Sequence, residues 1–197
     1  MSRLWTILGY LSVVLMIVKA PSQDSLRPTD CADEDYAVYI SLLNHLYGKH
    51  KVEAVVMLDL TIIDPSLSGT RTIPSGHQAF FRDVPEQVKN DFYARNSGRA
   101  KIDIGKIKTR FEALPLSNGD YERLFKKEDG WQVFRERYPT AAGIIGVSLP
   151  GIDPERRRAL VYALTACGPN CSGGSLFFLT KEGGEWKVVN TTAVWQS

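Results

Sequence analysis

The sequence predicts an α+β fold, with N-terminal helices packed on a mainly antiparallel sheet that closes in a C-terminal β-meander. Helical patterns and turn formers occupy most of residues 33–139, whereas residues 143–195 read as successive β segments. Gly183-Gly184 divides the last two segments with a tight-hairpin signal. Helices come first and the meander last, an order unlike alternating βαβ units.

Composition sets the outer limits. The chain has 197 residues, 44% of them hydrophobic and 23% charged, as in an ordinary globular protein and unlike a disordered, collagenous or coiled-coil chain. Lys and Arg number 24 against 22 Asp and Glu, so the formal charge of +2 offers no general footprint for nucleic acid. Three cysteines are too few for a disulfide-built scaffold, and apolar burial must hold the fold.

At the N-terminus, the positive start at Arg3, the uncharged run Leu4 to Val18 and the small residues Ala20 and Ser22 have the layout of a secretory signal peptide, residues 1–22. An uncleaved anchor is the alternative, but the run would span only about 22 Å of a hydrocarbon core of about 30 Å. No later stretch is long and apolar enough to span a membrane, so none is expected in the mature chain. Removing residues 1–22 takes away Arg3 and Lys19 and leaves 22 basic against 22 acidic side chains. The predicted layout is then a flexible tether, residues 23–32, and one α+β domain, residues 33–197.

In that domain, Asp33 is positioned to cap a helix carrying Tyr36, Ile40, Leu43 and Tyr47, with Gly48 to end it. The acidic run Asp33-Glu34-Asp35 then suits the helix dipole. Glu53 to Ile63 reads as a strand, and residues 64–80 as a long surface connection carrying His77. Pro85 opens a helix with Val88 and Phe92, ending near Asn96-Ser97-Gly98. Lys106 to Leu114 is taken as a strand, although Ile102, Ile104 and Ile107 follow neither period cleanly. Asp120 and Asp129 look like caps of two short helices, the second stopped by Pro139. Strands follow at Gly143 to Val147, Ala159 to Cys167, Ser175 to Thr180 and Trp186 to Trp195. Ala159 to Leu164 and Ser175 to Leu179 are apolar on both faces and should be central.

Residues able to carry chemistry are few. Cys167-Gly168-Pro169-Asn170-Cys171 misses a thioredoxin-like Cys-Gly-Pro-Cys by one residue and leads into a β run rather than a helix. A disulfide between Cys167 and Cys171 across a hairpin tip is the expectation, while sequence leaves open a pairing of Cys31 with either. His45 and His50 point away from one another on a helical wheel, which is poor metal geometry. His77 is the best candidate acid/base group, and a hydrolase-like site would pair it with a carboxylate or with Ser148. Asp59 and Asp64 give no specific carboxylate pair. Elbow, phosphate-loop and zinc signatures are absent, so no cofactor and no metal is expected. Arg95 to Arg110 and Arg156-Arg157-Arg158 form basic clusters interrupted by acids, which read as solvated faces.

The C-terminal part resembles a family of uncharacterised exported bacterial proteins. The resemblance rests on Gly130-Trp131, Tyr138-Pro139, Gly143-Ile144-Ile145, Ser148 and Ala159-Leu160-Val161-Tyr162. It continues through Cys167-Gly168, Cys171-Ser172-Gly173-Gly174, Gly184-Glu185-Trp186-Lys187-Val188-Val189 and Trp195-Gln196-Ser197. An Arg often follows the Ser in that family, where this chain has Leu149-Pro150. The resemblance implies export and a β-rich C-terminal half, and it implies no activity. The expected function is a non-catalytic exported module, periplasmic or extracellular, whose Cys167 to Gly174 loop meets a protein or cell-envelope partner. Hydrolysis at His77 with Ser148, and thiol-disulfide exchange at Cys167 and Cys171, are the alternatives.

Overall fold

The computed structural model describes residues 29–62, 67 and 76–197. The expected signal peptide, residues 1–22, lies outside them, as does most of the connection 64–80. The fold is α+β, and its C-terminal strands form the predicted meander.

The chain order begins with β1 (Thr29–Asp30), which pairs in parallel with β3 (Ala100–Lys101). Cys31, next in sequence, is buried. The expected tether therefore stops short of Ala32, because the backbone is already paired at Thr29. Helix α1 (Asp33–Tyr47) buries Tyr36, Val38, Tyr39, Leu42 and Leu43; of the expected face Tyr36 and Leu43 are buried, while Ile40 and Tyr47 are half-buried at its margin. Burying a Leu or Val side chain of this kind stabilises by about 1.5–3 kcal/mol. Its cap is Ala32 rather than Asp33. Ala32 has no side-chain acceptor, and Asp35 reaches back instead to accept from the Ala32 N–H at 2.8 Å.

Strand β2 (Ala54–Leu58) is shorter than the expected 53–63. Beyond Leu58 the backbone turns to other partners: Asp59 O accepts from Ile102 N, Thr61 N donates to Ala100 O and Ile62 N donates to Val147 O. The expected surface connection contains a helix, α2 (Gln78–Asp83), whose adjacent Phe80 and Phe81 are both buried. Helix α3 (Glu86–Arg95) follows Pro85 as predicted and buries Val88 and Phe92. No strand forms over 106–111. A 3-10 turn at Ile104–Lys106 is fixed by Asp103, whose carboxylate accepts from Gly105 N, and Ile102, Ile104, Ile107 and Phe111 anchor the segment without a period. Strand β4 is Glu112–Leu116.

Helix α4 (Asn118–Phe125) is capped by Ser117 rather than Asp120. Ser117 Oγ accepts from the Asp120 N–H at 3.0 Å, with Asp120 itself inside the first turn. Asp129 stands at the cap of α5 (Gly130–Arg137) without a side-chain bond. The remaining strands are β5 (Ala141–Val147), β6 (Gly151–Ile152), β7 (Arg158–Gly168), β8 (Cys171–Glu182) and β9 (Glu185–Gln196). The short β6 is an addition to the predicted set. Gly183 and Gly184 both have positive φ, 59° and 89°, as a two-residue hairpin between right-twisted strands requires.

The main sheet runs β4-β2-β5-β7-β8-β9, with β6 paired to β7. Its first two pairings, β4 with β2 and β2 with β5, are parallel, and the pairings from β5 to β9 are antiparallel. The two strands predicted to be central, β7 and β8, lie between neighbours on both sides. Alternate residues put Val55, Ile145, Val161 and Phe177 on one face, under α1 and the 100–111 segment. The other face is covered in two patches, by α2 and α3 over β7 and β8 and by α4 and α5 over β2 and β5. No helix among the described residues is long and apolar enough to cross a membrane.

Candidate ligand cleft

The lengths of the elements create a concave surface whose lining is uncharged, unlike two others of about 520 and 620 Å³ that are lined in part by Asp, Glu, Lys or Arg side chains. Helix α1 has 15 residues, about 22 Å, whereas β8 has 12 residues, about 40 Å. The helix starts over the β8–β9 turn, where Glu34 accepts from Lys181 Nζ and Trp186 Nε1, both at 2.7 Å. It ends where the His45 ring meets Phe177 edge-on at 6.3 Å, and Tyr47 is its last residue. Strands β7, β8 and β9 continue past that point. Their uncovered ends form the floor of a cleft of about 500 Å³, with Leu46 and Tyr47 as one wall and the β7–β8 turn at the far end.

The floor is hollow because its residues are small. Ala142, Gly143, Ala166, Gly173, Ser175 and Ala193 contribute to the lining. At Gly143 a Cβ would run onto the Ala166 carbonyl oxygen, so this position in β5 accepts no larger residue without a backbone shift. The turn is rigid. Cys167 and Cys171 are disulfide-bonded with a Cα–Cα distance of 5.2 Å, within the usual span of about 4.4–6.8 Å. Only Pro169 and Asn170 lie between the paired Gly168 and Cys171, so the expected loop 167–174 is strand for most of its length. Arg135 of α5 ties the tip down, donating to Cys167 O at 2.6 Å and to Ala141 O at 3.1 Å.

The cleft lining contains no Asp, Glu, Lys, Arg or His. Its one phenol is Tyr47, held at a pKa of about 12 by burial, so it remains a neutral hydrogen-bonding group. The Tyr47 ring packs edge-on against Phe111 at 5.8 Å, which fixes its direction.

The residues singled out from sequence are dispersed. His77 stands at the N-terminus of α2 rather than in a loop, and its Nδ1 is 3.2 Å from Thr192 Oγ1 on β9. Ser148 is 1% exposed, and its hydroxyl is occupied: it accepts from Tyr162 N at 2.9 Å and donates to Leu149 O at 3.1 Å. Ser148 N bonds Tyr162 O, Tyr162 pairs with Leu176, and Leu176 with Thr192. Thr192, which His77 contacts, is thus three strand spacings, about 14 Å, from Ser148, and no hydrogen bond joins His77 to Ser148.

The polar groups around Ser148 complete the backbone bonding of a buried crossing. Tyr39 Oη donates to Ser148 O at 3.0 Å. Asn96 accepts from Leu149 N at 2.9 Å and donates to Leu149 O at 2.7 Å, and Arg95 donates to Pro150 O at 2.6 Å. Arg95 also makes a two-pronged pair with the buried Asp35 at 2.9 and 2.8 Å. Arg95 therefore belongs to the interior and not to a basic face, while Lys106 is paired with Asp33 at 3.2 Å. Among the described residues no group of three or more His, Cys, Asp or Glu could hold a metal ion.

No family model, curated protein or solved structure matches the chain.

The lining of the cleft was hidden from sequence reasoning. It comes from α1, β5, β7, β8 and β9, and no local signal links Tyr47 to Thr165 or Ser175. The Cys167 and Cys171 pair, which marks its end, was the one legible part.

Proposed function

We propose that the protein is an exported, non-catalytic binding module with the cleft beside the Cys167–Cys171 turn as its ligand seat. One observation carries this reading: the cleft, about 500 Å³, is lined without a single charged side chain or histidine. Its volume suits a small ligand, and no group in it is poised to exchange protons near neutrality. The disulfide supports export, since such bonds persist in oxidising compartments. The resemblance to exported bacterial proteins points the same way.

Hydrolysis needs His77 within reach of Ser148 or a carboxylate, and among the described residues its side-chain partner is Thr192. Thiol exchange would need a low-pKa thiolate, for which a hairpin turn provides no helix N-terminus.

Screening a fragment library against the oxidised protein by amide NMR tests the reading. Shifts are expected on Leu46, Tyr47, Thr165 and Ser172 to Ser175, with every bound fragment recovered chemically unchanged. Binding confined to another surface, or turnover of a bound fragment, would refute it. Intact mass of the exported protein checks the first half of the proposal, through loss of residues 1–22 and an oxidised cysteine pair.

A further inference from the structure

Of the five hydroxyl-bearing residues that line the cleft, Ser172 and Ser197 bond one another, while Tyr47, Thr165 and Ser175 make no side-chain hydrogen bond to the described residues. Outside the cleft the buried hydroxyls of Ser148, Tyr39 and Thr61 are bonded within the protein, whereas those of Tyr93 and Thr180 have no partner among the described residues and face no cleft solvent. Polar groups in a concave, partly buried site take their partners from solvent or from a ligand. From these hydroxyls and the neutral lining we infer that the ligand is a neutral saccharide, a mono- or disaccharide by volume. This inference rests on the cleft being the ligand seat.

The chemistry selects among uncharged ligands. Each of the three hydroxyls can both donate and accept, which matches a ligand whose own groups are hydroxyls. Thr165 pairs with Gly173, and Ser175 with Ala163, so the two hydroxyls stand two rows apart on neighbouring strands, diagonally across the floor. The phenol wall supplies the third group, and Asn170 and Gln196 offer amides at the rim.

A charged sugar acid or phosphate would lose water without meeting an opposite charge. A lipid tail would strand the three hydroxyls against hydrocarbon, each at a cost comparable to a lost hydrogen bond. A peptide strand adds to a sheet through free backbone groups. The floor here is the face of β7, β8 and β9, whose backbone groups between strands are used in pairing.

The test uses the oxidised full chain and five neutral probes: maltose, cellobiose, lactose, mannobiose and N,N′-diacetylchitobiose, followed by amide NMR. A Gly-Ser peptide and glucuronic acid serve as contrasts. At least one disaccharide is expected to shift Tyr47, Thr165 and Ser175 in a saturable manner, with glucuronic acid inert. Tyr47→Phe, Thr165→Val and Ser175→Ala should each weaken that disaccharide roughly 2- to 10-fold. An unchanged circular dichroism spectrum and intact disulfide will show that the variants remain folded. If the peptide or glucuronic acid shifts the cleft and no disaccharide does, the saccharide assignment fails while the seat stands. If library fragments and all probes leave the cleft unshifted, both fail. Equal affinity in all three variants would also overturn the assignment.

Discussion

Asp33, Glu34 and Asp35 occupy one helical turn, yet each is committed to a different part of the molecule. Asp33 pairs with Lys106, Glu34 with Lys181 and Trp186, and Asp35 with Arg95. The sequence suggested a single dipole effect, and the structure adds three separate ties. They differ in weight. The Lys106 pair is exposed and adds little, whereas the Asp35 side chain is 1% exposed and its loss leaves Arg95 facing a buried crossing. Asp35→Ala is expected to destabilise by about 3 kcal/mol in urea unfolding, the lower end for a broken buried pair because Arg95 keeps some water. A loss under about 1 kcal/mol would show that the pair is effectively solvated. Burial is the largest single influence on Glu34 and raises its pKa, but hydrogen bonds from Lys181 and Trp186 and the positive charges of Lys181 and Arg156 together outweigh it and hold the carboxyl below its usual range. Tyr47 shows the opposite case. Its folded pKa of about 12 exceeds the ordinary 10.0, so its contribution is complete below pH 10 and is lost as pH rises through about 12. Tyr47→Phe should remove this alkaline dependence, read as a shallower fall of stability between pH 10 and 12; an unchanged slope would contradict the burial assigned to the phenol.

Among the elements, the β7–β8 hairpin joins the disulfide to the cleft. The cross-link closes a loop of about five residues, for which the chain-entropy model gives about 2 kcal/mol. Replacing both cysteines by Ser should cost about that amount globally. Hydrogen exchange should accelerate at Gly168 to Gly173 while Leu160 to Ala163 stays protected. Uniform acceleration along β7 would mean that the bridge supports the whole hairpin. This element was also the most legible. Adjacent strands joined by Gly183-Gly184 and by Cys167-Gly168-Pro169-Asn170-Cys171 announce their turns locally, so the meander followed from the sequence to within a few residues at each strand end. Helix α2 was missed because Phe80 and Phe81 are consecutive and carry no helical period, while Gly76 and His77 before them read as loop. Strand β4 was misplaced toward 106 because buried isoleucines ahead of it mimic a β segment, and Pro115 within it argues against a strand until its edge position is known. The parallel pairings of β2 were not visible at all, since a crossover leaves no mark on the residues that it brings together.

At the scale of the whole molecule, the sheet has two characters. From β5 to β9 it is an antiparallel meander closed by short turns, apart from the β6 excursion, whereas β2 reaches β4 and β5 only after long crossings through the helices. Among the described residues helices cover both faces of the inner strands, and α1 ends before β7, β8 and β9 do. That arrangement explains how one domain holds a firm interior and still leaves a hollow, with no mobile lid required to form it. The parallel pairing has a kinetic consequence. Contacts between residues far apart in sequence must close large loops before they stabilise anything, whereas β7, β8 and β9 can zip together locally. Pulse-labelling during refolding is expected to find the amides of β8 protected before those of β2. Simultaneous protection would indicate one concerted step. On that schedule the last third of the chain assembles its own platform, and the central strand β2 is the late arrival that completes the sheet.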